Sequence, residues 1–320
     1  MGPFQKSSTK RKTNPRDYPT AISRSDLELE ANRLIEGAYA INTLKAYETG
    51  IAAFCRFMAE QNIIEAWPPS MGTIVHFISY LSLKGYSENT AKLYTLAIGH
   101  RCKLLDFPDL TQNFIVQKML EGMKRLKQSA DTRLPITENI LTHLVLRLPG
   151  VCSNVYETKA AYTIAFWGLF RIGEIAVSKA NNIGHIISKD DCIIEEKQEK
   201  IIVFLRFSKT DQLGKGVTIE IKKNDSPICP YNSLKEFIAI RPNINGPLFC
   251  HFNGKFLSRF QFTSVLCKAL RSSGIDHENY KSHSFRIGGA TSLSMAGKSS
   301  DEIKSIGRWK SSAFKSYIRI

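Results

Sequence analysis

The sequence predicts a mainly helical protein with one small antiparallel β-sheet, an α+β fold built from two domains. Apolar residues recur every three or four positions through most of the chain, which is the period of an amphipathic helix. Runs typical of β-strands are confined to residues 192–221. The length of 320 residues exceeds what one hydrophobic core usually supports, so two cores are expected.

The N-terminal part is predicted to be a helical domain that follows a polar arm. Residues 1–24 lack hydrophobic periodicity and are rich in Lys, Ser, Thr and Pro, which predicts a disordered basic arm. The helical domain covers residues 25–127. Apolar residues recur from Ile41 to Met58 in a helix that ends before Trp67-Pro68-Pro69, and further helices are predicted over 71–83, 88–104 and 112–127. Small polar residues and Pro135 then predict a linker over 128–135.

Residues 136–320 are predicted to form the second domain, with helices before and after the β-type runs. Helices are expected over 138–147 and 155–170, and the latter is so apolar that it should be buried. Strands are expected over 192–196, 200–207 and 216–221, with residues 208–215 as a hairpin loop between the last two. Helices follow over 231–240, 259–272 and 284–296. Ser299 and Glu302 form a capping box for another helix, and a short segment over 311–319 carries Tyr317.

The charge balance favours a polyanionic partner. The chain has 44 Lys+Arg against 29 Asp+Glu, a formal charge of +15 and a sequence pI near 9.5. A basic protein that binds nucleic acid releases condensed counterions, so nucleic acid is the leading partner class. An anionic membrane surface is the alternative on composition alone.

Cysteine usage and hydropathy predict a soluble protein in a reducing compartment. Seven cysteines are scattered and form no Cys-x-x-Cys pair, which predicts neither a disulfide framework nor a zinc site. No apolar run reaches the roughly 20 residues that span a bilayer, and the first residues resemble neither a signal peptide nor a myristoylation site. We therefore expect an intracellular protein. The run Lys10-Arg11-Lys12 is typical of either a nuclear localisation signal or a plain basic arm.

One candidate for chemistry directly follows the apolar helix predicted over 155–170. Arg171 lies in Gly168-Leu169-Phe170-Arg171-Ile172-Gly173-Glu174, where a charge in apolar surroundings needs a partner or a function. Arg171 and Glu174 at i, i+3 suit a structural ion pair. The local sequence alone favours that pair, and the functional alternative is an arginine that binds a phosphate while Glu174 holds the guanidinium.

Three further candidates follow along the chain. Lys209 lies on the hairpin loop, where a flexible ammonium can deliver a proton. His283 and Arg286 are three residues apart at a helix start, so they face the same way near free amides that favour an anion. Trp309 and Tyr317 near the end suit either a core or a site. Each has an ordinary structural explanation when it is taken alone.

The helix predicted over 88–104 presents polar residues to a partner. Its inward stripe is predicted to be Leu93, Leu96 and Ala97. The residues left facing outward are Thr90, Lys92, His100 and Arg101. They form either a solvated face or a DNA-contacting face.

Taken together, the order and spacing of these residues resemble the tyrosine recombinase (phage integrase) family. The matching stretches are Leu169-Phe170-Arg171-Ile172-Gly173-Glu174, Ser208-Lys209-Thr210, Ser282-His283-Ser284-Phe285-Arg286-Ile287-Gly288-Gly289-Ala290-Thr291, Ile306-Gly307-Arg308-Trp309 and Ser316-Tyr317-Ile318-Arg319. The resemblance covers the second domain, and the helical first domain looks like the family's core-binding domain. The residues of the last motifs, Gly307-Arg308-Trp309 and Tyr317-Ile318-Arg319, are most similar to those of eukaryotic mobile-element recombinases of the DIRS and Crypton kinds.

The resemblance implies a site-specific DNA recombinase or integrase. Tyr317 would be the nucleophile, leaving a 3′-phosphotyrosine and a free 5′-hydroxyl without ATP, metal or cofactor. Lys209 would protonate the departing oxygen and His283 would assist proton removal from the tyrosine.

The same resemblance assigns the residues that hold the phosphate. Arg171 and Arg286 would bind its two non-bridging oxygens, because a guanidinium fits that geometry better than an ammonium. Glu174 would support Arg171, and Trp309 would position the phosphate and the segment that carries Tyr317.

The partners implied are double-stranded DNA and other copies of the chain, with a homotetramer on two DNA sites. The implied location is the nucleus if the source is eukaryotic, and otherwise the cytoplasm. The sequence departs from the family in two ways. The interval from Trp309 to Tyr317 is one residue shorter than usual, and only three residues follow Tyr317, so we expect assembly to be controlled without a C-terminal helix passed to a neighbour.

Three other functions fit parts of the sequence. A type IB topoisomerase uses the same tyrosine chemistry on DNA, but the residues of the final motifs here resemble those of strand-exchange enzymes. A mobile-element-derived DNA-binding protein without catalysis would be expected to have lost some of its catalytic residues. This chain has all five of them, Arg171, Lys209, His283, Arg286 and Tyr317. A helix-turn-helix repressor, suggested by residues 296–303, leaves most of the second domain unexplained.

Overall fold

The computed structural model describes residues 22–126, 131–178, 184–207, 211 and 215–319. The chain divides into two compact units, Met1–Ser129 and Ala130–Ile320. Helices dominate, and the described strands form one three-stranded antiparallel sheet. This confirms the predicted fold class. The arm predicted over residues 1–24 lies outside the described residues up to position 21, and so does Lys209.

The first unit consists of helices, and short polar side chains cap the starts of several of them. Its helices are α1 (Arg24–Gly37), α2 (Ile41–Glu60), α3 (Met71–Leu83), α4 (Glu88–Leu104) and α5 (Phe114–Leu126). The bounds of α3 and α4 are those predicted, because Ser70 and Ser87 accept hydrogen bonds from amides in the first turn. Helix α1 was not specified from the sequence, although Ser23 and Asp26 form a capping box at its start.

The core of the first unit corrects the predicted inward stripe of α4. The buried residues of this helix include Ala91, Thr95, Ile98 and Cys102, spaced four, three and four apart. Leu96 was predicted to point inward, but it is 38% exposed. Ala97 is buried as predicted, and α2 approaches it so closely that a Cβ on Gly50 would lie 2.9 Å from the Cβ of Ala97.

The second unit combines the sheet with helices that pack on one of its faces. Its helices are α6 (Glu138–Val151), α7 (Val155–Trp167), α8 (Ile172–Ile175), α9 (Pro230–Ile240), α10 (Arg259–Ser272), α11 (His283–Met295) and α12 (Ser300–Gly307). Helix α7 is buried as expected, but it ends at Trp167 rather than at residue 170. Leu169 has a left-handed φ of 49°, which an α-helix cannot accommodate. The short helix α8 that follows was not predicted.

The sheet contains β1 (Cys192–Glu195), β2 (Lys200–Leu205) and β3 (Val217–Lys222) in the order β1-β2-β3. Strand β2 pairs with both neighbours in antiparallel register, with Ile201 opposite Ile221 and Val203 opposite Ile219. These four side chains are buried in the main core of the unit. The period-2 alternation of β2 therefore fixes which face meets the helices.

The described chain ends in a 3₁₀-helix, Ser312–Tyr317, where the sequence predicted only a short segment over 311–319. A 3₁₀-helix rises about 2.0 Å per residue, against about 1.5 Å in an α-helix. Each residue therefore reaches further along the axis. The rings of Trp309 and Tyr317 lie at a centroid distance of 5.1 Å.

Candidate active site

Arg286 occupies the centre of the candidate site and is 1% exposed. It projects from the first turn of α11 and donates to the carbonyl oxygens of Leu169 and Gly307. Its guanidinium carbon lies 4.1 Å from the centroid of the Trp309 ring. Its Nε is buried and has no hydrogen-bond partner among the described residues. A buried donor without a partner is costly, so this N–H group is suited to donate a hydrogen bond to an anionic ligand.

Two left-handed residues shape the backbone around Arg286. Leu169 has φ 49° after the end of α7, and Arg308 has φ 57° after the end of α12. The side chain of Arg308 donates to the carbonyl oxygens of Gly168 at 3.1 Å and Leu169 at 3.0 Å. Arg286 and Arg308 therefore share the Leu169 carbonyl, and together they join the end of α7 to the end of α12.

Glu174 binds two arginines at once. Its Oε1 accepts from Arg171 Nη1 at 3.0 Å, and its Oε2 accepts from Arg308 Nη2 at 3.0 Å. Oε2 also accepts from the backbone N–H of Arg171 at 2.8 Å, which fixes the start of α8. The i, i+3 ion pair that the sequence suggested is thus present, and Arg308 is a third member that the sequence reasoning did not assign.

The cluster carries more positive than negative charge. Arg171, Arg286 and Arg308 face the single carboxylate of Glu174, which is 4% exposed. Burial, followed by the charges of Arg171 and Arg308, lowers the pKa of Arg286 to about 9. Burial also lowers the pKa of Arg308, although Glu174 opposes this shift. A bound anion would offset the excess charge, and a phosphodiester matches the planar fork of a guanidinium.

Tyr317 lies at the edge of this cluster. Its ring centroid is 5.6 Å from the guanidinium carbon of Arg286 and 6.1 Å from the centroid of His283. Phe314 is buried against Ala290 and Ile303, and Tyr317 packs on the same small cluster. The structure therefore brings Arg171, Glu174, His283, Arg286, Trp309 and Tyr317 into one region of the second unit.

The polar residues predicted on α4 are not all available to one partner. Lys92 and Arg101 are exposed, and Arg101 also lies over the Trp67 ring at 4.9 Å. At about 100° per residue, the 9 positions between them place Lys92 and Arg101 on opposite faces of the helix, whereas Thr90 shares the face of Arg101. Thr90 is half-buried, and its hydroxyl contacts the cap residue Ser87.

His100 was expected to be available to a partner, and this expectation is wrong. Its ring packs against the rings of Tyr39 and Tyr47, at centroid distances of 4.9 Å and 4.6 Å. Burial lowers the pKa of His100, with a smaller effect from the charge of Lys103. The apolar surroundings therefore favour the neutral imidazole.

Arg308 is the residue that the sequence reasoning missed. It was quoted within Gly307-Arg308-Trp309 but was given no role. The available signal was the pair Gly307-Arg308 between the helix capped by Ser299 and the segment over 311–319, since a glycine often marks a helix end, where the backbone commonly turns into the left-handed region. Nothing in the local sequence indicates that its partners lie 134 to 140 positions away.

Within the described residues, no group of three or more His, Cys, Asp or Glu side chains is arranged to hold a metal ion. In the same part of the chain, none of the helices has the length and apolar composition required to cross a bilayer.

The chain is similar to known integrases and recombinases in sequence and in fold. The family described as "Phage integrase, N-terminal SAM-like domain" matches residues 31–100, within the first unit. An "Integrase/recombinase xerD homolog" from Selenomonas ruminantium is 26% identical over 277 residues, which cover 83% of this chain and 77% of the relative.

Solved structures share the fold at low identity. The Tn1549 transposon integrase, in complex with transposon right end DNA, has a TM-score of 0.61 at 15% identity and covers 92% of this chain and 94% of its own. A lambda integrase dimer bound to a core site has a TM-score of 0.62 at 15% identity, with 92% and 76% covered. The XerH recombinase bound to a palindromic substrate has a TM-score of 0.61 at 17% identity, with 93% and 81% covered.

Proposed function

We propose that this chain, a member of the tyrosine recombinase family, is a site-specific DNA recombinase that cleaves and rejoins DNA through a bond between Tyr317 and a backbone phosphate. The observation that carries this proposal is the excess positive charge around the buried Arg286, with the Tyr317 ring 5.6 Å from its guanidinium. A nucleophile beside an anion site is the minimum arrangement for attack on a phosphodiester.

The arginine cluster would bind the scissile phosphate and stabilise its transition state. Arg286 keeps an unpaired buried Nε–H after it donates to two backbone carbonyls. Arg171 keeps further N–H groups beside its contact with Glu174. These donors are fixed before the substrate arrives, so little reorganisation is needed as charge develops on the phosphate oxygens. Removal of one such donor typically costs about 100-fold to 1,000-fold in rate.

The chemical step exchanges one phosphodiester bond for another. The phenol oxygen of Tyr317 attacks phosphorus while its proton passes to His283, and the bond to the 5′-oxygen breaks. Lys209, which lies outside the described residues, donates a proton to that oxygen. The products are a 3′-phosphotyrosine and a free 5′-hydroxyl. A 5′-hydroxyl from another strand reverses these steps and rejoins the DNA.

Double-stranded DNA is the proposed substrate. The Tn1549 integrase is described in complex with transposon right end DNA, and the lambda integrase is described on a core site. The charge of +15 supports the same partner class. Because Lys92 and Arg101 lie on opposite faces of α4, we propose that one of them contacts a phosphate, in which case alanine at that position lowers the slope of log affinity against log salt by about one.

A covalent-capture experiment tests the proposed activity. Duplex DNA taken from the flanks of the gene, nicked at varied positions to prevent religation, is incubated with the full chain and run on a denaturing gel. We expect a protein–DNA adduct that requires Tyr317 and is absent in Tyr317→Phe. An adduct that persists in Tyr317→Phe contradicts the assignment.

The same preparation distinguishes the related activities. A type IB topoisomerase would relax supercoiled plasmid without strand exchange between two duplexes. A DNA-binding protein that has lost cleavage would bind the same flanks with strong salt dependence and give no adduct.

The finer placement and the assembly are also proposals. The residues of the motifs Gly307-Arg308-Trp309 and Tyr317-Ile318-Arg319 support a eukaryotic mobile-element recombinase of the DIRS or Crypton kind that acts in the nucleus. A fluorescent fusion to residues 1–24 that remains cytoplasmic would contradict this location. A homotetramer on two sites is the proposed assembly, and light scattering of the complex with paired duplexes tests it.

A further inference from the structure

The residues around Tyr317 are attached to α11 through one hydroxyl. Thr291 is buried on α11, five residues after Arg286. Its Oγ1 accepts from the backbone N–H of Arg319 at 3.0 Å and lies 3.3 Å from the carbonyl oxygen of Tyr317. A single side chain therefore contacts the backbone on both sides of Ile318. This fixes one side of the segment that carries the proposed nucleophile.

A second attachment comes from the other end of the unit. Asp131 Oδ2 accepts from Arg319 Nη2 at 2.8 Å, across 188 positions of sequence. The same carboxylate binds Arg133 through Nε at 2.8 Å and Nη2 at 3.0 Å. Asp131 therefore joins two guanidiniums. Among the described contacts of the Arg319 side chain, only the one with Asp131 reaches outside residues 316–319, because the other is to the Ser316 carbonyl.

Asp131 is itself held in place by the backbone that follows it. The N–H of Leu134 donates to the backbone carbonyl oxygen of Asn279 at 2.9 Å. The N–H of Ile136 donates to the backbone carbonyl oxygen of Ser284, at the start of α11, at 3.0 Å. Ile136 is fully buried, and its carbonyl oxygen packs so closely on Gly288 that a Cβ there would clash. Residues 131–136 therefore run along the helix that carries His283 and Arg286.

We propose that Asp131 is a positioning residue for Tyr317 and that it acts through its contact with Arg319. This inference rests on the proposed function. It assigns no contact between Asp131 and the reacting phosphate. Its effect should therefore appear in the rate of covalent attachment and not in the affinity for DNA.

The test compares four variants of the full chain on the nicked duplex that gives an adduct with the wild type. Single-turnover rates of adduct formation and the Kd for intact duplex are measured for Asp131→Asn, Asp131→Glu, Arg319→Gln and the double variant Asp131→Asn/Arg319→Gln. Asp301→Asn is the matched control, because it removes a carboxylate from an exposed ion pair with Lys304 on α12. Thermal unfolding of each variant checks that it folds.

We expect Asp131→Asn and Arg319→Gln each to slow adduct formation about tenfold, since a misplacement of roughly 1 Å can cost about 100-fold and the pair is partly exposed. The Kd should change less than about twofold, Asp131→Glu should recover most of the rate, and Asp301→Asn should match the wild type. The double variant should be no slower than the slower single variant, because both remove the same interaction.

Three outcomes overturn the inference. The first is an Asp131→Asn rate equal to that of the wild type, and the second is fully additive losses in the double variant. The third is a loss of DNA affinity that accounts for the slower rate. If Asp131→Asn does not fold, the ratio of rates for Arg319→Gln and wild type decides. A wild type that forms no adduct would instead contradict the proposed function, so the two failures are distinguishable.

Discussion

Replacement of Glu174 by glutamine tests whether the arginine cluster is an anion site. The variant keeps the shape of the side chain but leaves Arg171, Arg286 and Arg308 without their shared carboxylate. Its amide also presents a donor where Oε2 now accepts from Arg308 and from the backbone N–H of Arg171. We therefore expect both electrostatic repulsion and an unsatisfied buried hydrogen bond.

The magnitude follows from the burial of these groups. Removing one partner of a buried ion pair typically costs about 3–5 kcal/mol, and we expect the lower end, about 3 kcal/mol, because glutamine retains one acceptor. A domain of roughly this size loses about 2–4 °C in Tm per kcal/mol. The Tm of Glu174→Gln should therefore fall by about 6–12 °C.

The assay is thermal unfolding with and without millimolar inorganic phosphate. Because phosphate supplies the missing negative charge, it should raise the Tm of Glu174→Gln more than that of the wild type. Glu157→Gln is the matched control, since Glu157 is also a buried carboxylate of the second unit but pairs with His251. The reasoning is refuted if the Tm of Glu174→Gln is unchanged, or if phosphate stabilises both variants equally.

Three further predictions concern the end of the chain. Thr291→Val should cost about 1 kcal/mol per lost hydrogen bond and slow adduct formation at Tyr317 without changing DNA affinity; an unchanged rate contradicts this. Phe314→Ala should destabilise the cluster around Trp309 by about 3–5 kcal/mol, and a calorimetric change under 1 kcal/mol would argue against it. The side-chain hydrogen bonds from Arg133 lower the pKa of Asp131 to about 2. The stabilising contribution of Asp131 is therefore present above the ordinary pKa of an aspartate and is lost as the pH falls toward about 2. Between about pH 4 and 2, Asp131→Asn should therefore lose less stability than the wild type in an acid titration followed by circular dichroism, and equal losses would contradict this.

The helical architecture could be predicted because most helices carry local signals. Caps and period mark α3, α4, α10 and α12, and these signals need no knowledge of the rest of the chain. On the inward face of α4, Ala97 was assigned correctly, but Leu96 was assigned wrongly because leucine was preferred at a position that is exposed. Which face is buried depends on how closely α2 approaches, and the sequence of α4 alone does not contain that information.

The site was predictable as a set of residue types but not as a set of contacts. The order of Arg171, His283, Arg286 and Tyr317 carried the resemblance, whereas Arg308 acquires its role from a left-handed turn and from carbonyls about 140 positions away. Asp131 likewise meets Arg319 across 188 positions. Long-range pairs of this kind follow from the packing of α7, α11 and α12. The role of Lys209 stays a prediction.

Identification of the amino acid that becomes linked to DNA tests the central claim most directly. The adduct from a nicked duplex would be digested with nuclease and protease and analysed by mass spectrometry for a peptide that carries a nucleotide remnant. The chain has 11 tyrosines, so the attachment point is informative. We predict that the remnant lies on Tyr317, joined through a 3′-phosphate. A remnant on any other residue, or a linkage through a 5′-phosphate, would contradict the proposed mechanism.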